Sequence, residues 1–175
     1  PGTSLKYLVD PMAGDDALTL AHTCGATIAG ADRVFDDPRV DGIIIASSTD
    51  SHADLLLRAA ESGKAVFCEK PISLDFTLTR EVAARVEAAG IPCLMGFQRR
   101  YDTSFRQVRD RLASGASGPV EQIVMFSRDP SPPPGSYVRT SGGMFRDSSI
   151  HDVDMARYLL DESIVRVFAV GSALI

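Results

Sequence analysis

Gly42-Ile43-Ile44-Ile45-Ala46-Ser47-Ser48-Thr49-Asp50-Ser51-His52 decides the fold class. The isoleucines are apolar at consecutive positions, so neither face of the predicted strand is left for water. That is the pattern of a strand buried on both sides in a parallel sheet. The run stops at a cluster of small polar residues suited to capping a helix, and residues 53–62 read as that helix, ended by Gly63. A polar turn between a buried strand and a helix start is where α/β sheets hold phosphate and ribose groups, which makes Ser47, Ser48 and Thr49 candidate nucleotide ligands. As a plain helix cap they would look the same.

The unit repeats on either side. Upstream, residues 5–9 read as a strand ending in Asp10-Pro11, residues 17–24 as a helix, 26–29 as a short strand, and 31–40 as a connection with one helical turn. An acid at the tip of the second strand of a nucleotide-binding sheet accepts hydrogen bonds from both ribose hydroxyls, so Asp10 is a candidate for that role. Asp-Pro as a simple strand breaker is the other reading. Downstream, residues 64–68 form the next buried strand and deliver Glu69-Lys70-Pro71 at its carboxyl end, where open α/β sheets bind ligands. An ammonium there stabilises negative charge developing on oxygen, although adjacent Glu and Lys are also an ordinary surface pair.

An amphipathic helix from Leu74-Asp75 to Ala89 and a strand over residues 91–95 complete the alternation. It ends near residue 97, which sets a boundary between domains 1–97 and 98–175. The second part reads as a helix over 101–112, a strand over 120–127, a Pro-rich loop over 129–135 and a closing strand over 164–175.

Composition narrows the function classes. The 175 residues are 45% hydrophobic and 23% charged, ordinary for a globular protein with a core. A net charge of −5 argues against a nucleic-acid partner, which calls for a basic surplus on one face. No apolar run reaches the roughly 18 residues of a membrane helix, and Pro1-Gly2-Thr3-Ser4 lacks a signal pattern. Cys24, Cys68 and Cys93, odd in number and set in apolar surroundings, read as buried thiols of a reducing compartment, with no metal site. A cytoplasmic location is the expectation.

Residues 142–157, Gly-Gly-Met-Phe-Arg-Asp-Ser-Ser-Ile-His-Asp-Val-Asp-Met-Ala-Arg, carry the chemistry. A tight Gly-Gly turn leads into a helix, and Asp147 and His151 stand four residues apart, hence on one face a turn apart. A carboxylate beside an imidazole whose ordinary pKa is ~6.5 suits proton transfer at neutral pH. Asp147 as an N-cap and His151 as a packing residue is the competing reading.

Five stretches now stand in one order: Asp10 after a strand, Glu69-Lys70-Pro71 after another, Gly96-Phe97-Gln98-Arg99-Arg100-Tyr101-Asp102, Ser127-Arg128-Asp129-Pro130-Ser131-Pro132-Pro133-Pro134, and Asp147-x-x-x-His151. Together they resemble the glucose-fructose oxidoreductase/inositol dehydrogenase (Gfo/Idh/MocA) family over essentially the whole chain, most of all its inositol dehydrogenases. The resemblance implies an α/β fold: a partial Rossmann domain, a doubly wound parallel sheet with its first strand missing, followed by part of an α+β open-sheet substrate domain. It implies oxidation of a secondary alcohol of a cyclic polyol, myo-inositol to 2-keto-myo-inositol (scyllo-inosose), by hydride transfer to NAD. His151 matches the family's general base, Asp147 the carboxylate beside it, and Lys70 the lysine at the reacting oxygen. These three are the expected catalytic residues and, with Arg100, the expected substrate contacts. Asp10 matches the ribose acid, which suits NAD better than NADP because a carboxylate repels a 2′-phosphate. Ser47, Ser48, Thr49, Glu69 and Lys70 are expected on the cofactor side, and His52 matches a structural histidine.

One family feature has no counterpart: the Gly-rich G-x-G-x-x-G turn that follows the first Rossmann strand. In the order 3-2-1-4-5-6 that strand separates the second from the fourth, so two strands are expected to lack a neighbour. The expectation is an internal portion of a longer enzyme that by itself misfolds or aggregates and binds NAD weakly or not at all. The complete protein is expected to be a homo-oligomer, a dimer or tetramer. A dehydrogenase of another sugar or polyol is the alternative, as is a non-catalytic NAD- or sugar-binding relative. Lys70, Asp147 and His151 together argue against the latter, since binding alone needs no such set.

Overall fold

Three parallel strands, β3 (Gly42–Ile45), β4 (Ala65–Cys68) and β5 (Cys93–Met95), organise the first part of the computed structural model, which describes residues 2–172. Ile45 is paired with Cys68, and Cys68 in turn with Met95. The helices α3 (Thr49–Ser62) and α4 (Phe76–Ala89) join these strands and pack on each other. Right-handed crossovers in one direction along a sheet put successive helices on one face. The core accordingly forms on that face from Ile45, Ala53, Leu56, Ala59, Val66, Cys68, Val82 and Val86. The sequence predicts burial on both faces of β3, but Ile44, which points the other way, is 74% exposed.

A second, two-stranded parallel sheet pairs β1 (Tyr7–Leu8) with β2 (Thr27–Ile28), with α1 (Asp15–Cys24) between them and α2 (Ala31–Asp36) following. Among the described residues no ladder joins β1 to β3. The break falls where the order 3-2-1-4-5-6 places its first strand. At the amino ends of the strands the two sheets are tied through residues 37–40. The buried Lys64 donates from Nζ to the carbonyl oxygens of Asp37 (2.9 Å) and Val40 (3.1 Å). The Asp37 carboxylate meets Lys6 Nζ at 2.6 Å and accepts from the Tyr7 hydroxyl at 2.7 Å. Hydrogen bonds from Lys6, then Arg39 and Tyr7, hold its pKa well below the usual carboxylate range.

The chain divides into two compact units, one up to Gly96 and the other from Phe97. In the second, a 3₁₀ turn (Gln98–Tyr101) leads to α5 (Thr103–Ala113), followed by α6 (Gly135–Thr140), α7 (Met144–Asp147) and α8 (Ser149–Leu160). The Asp102 carboxylate caps α5 by accepting from the Ser104 and Phe105 N–H groups at 2.8 and 3.2 Å.

Three further expectations are corrected. Residues 120–127 and 164–172 form no strand, and residues 173–175 of the predicted closing strand lie outside the described residues. A strand exists only through ladder bonds to a neighbour, and an apolar run such as Val165, Val167 and Phe168, each at least 79% exposed, does not create one. The helix predicted through Asp147 and His151 is broken at Ser148, which lies between α7 and α8 with φ −98° and ψ −54°. Paired serines compete with the helix ladder for backbone hydrogen bonds. Of the three thiols only Cys68 is buried, its pKa pushed up to about 12 by that burial, while Cys24 and Cys93 are exposed at a helix end and on an edge strand.

Candidate active site

In the first unit the predicted cofactor residues stand at strand carboxyl ends. Asp10 follows β1, and one of its oxygens accepts from the Met12 N–H at 2.9 Å, a turn that sets the tip. Ser47 and Ser48 join β3 to α3, and Thr49 is the first residue of that helix. The turn is tightened by Ser47 Oγ and Ser51 Oγ at 2.6 Å and by Ser51 Oγ donating to the Ser48 carbonyl at 2.8 Å.

Glu69-Lys70-Pro71 follows β4, with a cis peptide between Lys70 and Pro71. Glu69 is fixed at its backbone by donating to the Ile45 carbonyl (2.9 Å), and its carboxylate lies against Gly96. A Cβ at residue 96 would stand 2.6 Å from Glu69 Oε2, so a side chain there would displace the Glu69 carboxylate from this position.

His52 connects these two turns. It is 1% exposed, and its Nδ1 and Nε2 lie 2.8 and 3.0 Å from the carbonyl oxygens of Pro71 and Ser47. Both partners are acceptors, so a ring N–H donates in either tautomer. The imidazole thereby links the turn before α3 to the turn that carries Lys70.

In the second unit, Gly143, with φ +83°, lets the chain enter α7. Asp147 closes α7 and His151 lies in the first turn of α8, buried at 9% exposure. Phe97 meets the His151 ring edge-on, centroids 6.3 Å apart and planes at 82°. Hydrogen bonding to Asp147 raises the pKa of the Tyr137 phenol, which places a hydroxyl from α6 at the predicted catalytic carboxylate. Sequence reasoning passed over Tyr137 because nothing in the spacing of residues 137 and 147 joins them.

Two ion pairs are made by carboxylates that follow His151 on α8. Arg99 Nη1 meets Asp152 Oδ1 at 2.6 Å, and the Ser127 hydroxyl donates to the same oxygen at 2.8 Å. Arg100 holds the buried Asp154 through Nε and Nη2, with contacts of 2.6–3.1 Å. Arg100, expected at the substrate, is thus engaged with a carboxylate of the same unit, and hydrogen bonding to Asp154 raises its pKa further. Among the described residues no group of His, Cys, Asp and Glu is arranged to hold a metal ion, and no helix is long and apolar enough to cross a membrane.

Residues 4–97 match an oxidoreductase family with an NAD-binding Rossmann fold, GFO/IDH/MocA, and residues 105–175 match the GFO/IDH/MocA C-terminal domain. The chain belongs to the GFO/IDH/MocA oxidoreductase family. Its first unit is the family's Rossmann-like domain, and the α/β fold with parallel strands agrees with it. An inositol 2-dehydrogenase of Rhizobium meliloti is 43% identical over 159 residues, covering 91% of this chain and 48% of that protein. A scyllo-inositol 2-dehydrogenase (NAD(+)) of Bacillus subtilis is 36% identical over 176 residues, 99% of this chain and 51% of that protein. The crystal structure of a myo-inositol dehydrogenase from Corynebacterium glutamicum superposes with a TM-score of 0.83 at 41% identity, covering 89% of this chain and 47% of that one. The chain spans about half the length of the curated relatives it matches.

Proposed function

We propose that this chain serves an NAD-dependent dehydrogenase that oxidises a secondary alcohol of a cyclic polyol, myo-inositol to 2-keto-myo-inositol (scyllo-inosose). The observation that carries the reading is His151: a buried imidazole at the start of a helix, set edge-on by Phe97, in a chain whose two parts match the two domains of one oxidoreductase family. The names of its relatives, a myo-inositol 2-dehydrogenase and a scyllo-inositol 2-dehydrogenase (NAD(+)), support a cyclic polyol as substrate.

The donor set fits a dinucleotide. Asp10 is the acid for the ribose hydroxyls, while Ser47, Ser48 and Thr49 offer hydroxyls and a helix start for polar groups of the cofactor. Glu69 and Lys70 complete that side. When bound, NAD supplies the acceptor for the hydride that leaves the carbinol carbon. His151 takes the hydroxyl proton, because hydride leaves more readily as negative charge builds on oxygen. Lys70 stabilises that charge with its ammonium, and Asp147 stabilises the imidazolium that results. Tyr137, hydrogen-bonded to Asp147, keeps this carboxylate oriented. The whole protein is inferred to act in the cytoplasm as a homo-oligomer, dimer or tetramer, without nucleic-acid or membrane partners.

The test is NADH formation from NAD by the full-length protein, with myo-inositol and scyllo-inositol beside other polyols. Turnover of an inositol that disappears in His151→Ala is the expected result. A folded protein that binds NAD and reduces it with no polyol overturns the reading.

A further inference from the structure

We propose that Arg100 is a positioning residue for His151, acting through Asp154 and Phe97, and is not a substrate ligand. The inference rests on the reading of His151 as the proton acceptor. Its basis is the way one guanidinium reaches both supports of that imidazole. Nε of Arg100 lies 3.1 and 2.9 Å from Oδ1 and Oδ2 of Asp154, and Nη2 lies 2.6 Å from Oδ1. Such a fork fixes orientation as well as distance, which a lysine ammonium does not.

Asp154 is 8% exposed and stands three residues after His151 on α8, so its carboxylate and the imidazole belong to neighbouring positions of one helical surface. Holding Asp154 holds the rotation of α8 about its axis. The second support is aromatic. The Arg100 guanidinium lies over the Phe97 ring, 5.8 Å from its centroid, and Phe97 is the residue whose ring meets His151. It also lies over Tyr158, 5.4 Å from the centroid, one turn further along α8, where Arg109 of α5 stands over the same ring at 4.4 Å. Arg100 therefore contacts α8 at two positions and the ring against His151 at a third. Nε and Nη2, the two donors that would make a forked contact to a polyol, are both taken by Asp154.

α8 needs such a device because apolar packing does little to fix it. Met155 is its only buried apolar residue, beside the buried His151 and Asp154. With so few apolar knobs, a small rotation of the helix is resisted chiefly by directional contacts. A displacement near 1 Å at a catalytic group lowers turnover on the order of 100-fold.

The experiment uses the full-length protein, NAD and myo-inositol, with Arg100→Lys and Asp154→Asn measured across pH beside His151→Ala. For both variants the expected result is a fall in kcat of roughly 10- to 100-fold with the KM for myo-inositol within about threefold, as for an interaction that acts on the transition state. The limb of the kcat/KM profile that reports the base is expected to shift in both. Asp154→Asn matters most, since it leaves Arg100 in place and is nearly isosteric. Unchanged kcat and an unchanged limb in that variant overturn the proposal. A KM raised tenfold or more in Arg100→Lys with kcat retained overturns it in favour of substrate binding. A loss of kcat equal at every pH, matched by a smaller folded fraction in circular dichroism, overturns it in favour of a folding role. If His151→Ala itself keeps full turnover, the base reading fails and the positioning proposal with it, a result separable from the other three.

Discussion

The two units are held together by different physics. In the first, α3 and α4 lie on the β3–β5 sheet through an apolar cluster in which Leu56, Ala59, Cys68 and Val82 are all at 0% exposure. In the second, the three buried residues among those described are His151, Asp154 and Met155, and two of them are polar. Apolar packing is strong but tolerant of direction, whereas ion pairs and ring contacts are weaker and specific in angle. The difference teaches where to look for each kind of mutational effect. Substitutions in the apolar cluster of the first unit should act on stability, and those around α8 on the geometry of His151 at a smaller cost in stability.

The largest expected effect, and the first way to break this comparison, is Leu56→Ala. Deleting a fully buried leucine costs about 2–5 kcal/mol, read from denaturant unfolding of the full-length protein. A loss below ~1 kcal/mol would show that the α3–α4 cluster does not carry the first unit. Next comes Asp154→Ala, which leaves the Arg100 fork without its carboxylate and is expected to cost about 1–3 kcal/mol. If it cost more than Leu56→Ala, the contrast between the units would be wrong.

Asp75→Ala sharpens the picture within the first unit. The Asp75 carboxylate accepts from the Leu78 N–H at 2.9 Å and caps α4, so its loss should cost ~1 kcal/mol without change in cofactor affinity. The smallest effect at neutral pH is expected for Asp37→Asn, because its partners Lys6 and Arg39 are 31% and 76% exposed and water screens them. The pH dependence identifies it. A carboxylate whose folded pKa is depressed adds stability that is complete above its unfolded pKa of ~3.9 and is lost as pH falls through the folded value. The gap in Tm between the wild type and Asp37→Asn should be widest above about pH 5 and close as the pH is lowered below ~4. A gap independent of pH would remove Asp37 from the latch between the two sheets.

Much of the first unit was legible in the residues. Runs such as 42–46 and 64–68 are apolar over four or more consecutive residues and bounded by turn and capping residues, and local patterning of that strength locates strands and helices before tertiary contacts form. Less was legible beyond residue 97. Residues 120–127 and 164–172 carry strand-like composition but pair with nothing among the described residues, since pairing is a property of two segments and composition of one. At the candidate site the spacing of Asp147 and His151 suggested one helix, and the break at Ser148 followed from competition for backbone hydrogen bonds that spacing does not record.

By itself the sequence determined the alternation of strand and helix, the polar turns at the carboxyl ends of β1, β3 and β4, and the residue types available for proton transfer. Only the tertiary structure decided that His52 links the Ser47 and Pro71 carbonyls, that Glu69 rests on Gly96, and that Arg100 is engaged with Asp154. The physical reason is range. Capping, periodicity and turn chemistry act over a few residues, whereas these contacts join groups 19 and 54 positions apart in the cases of His52 with Pro71 and Arg100 with Asp154. Which partner a charge or an imidazole finds at that distance depends on how the elements pack.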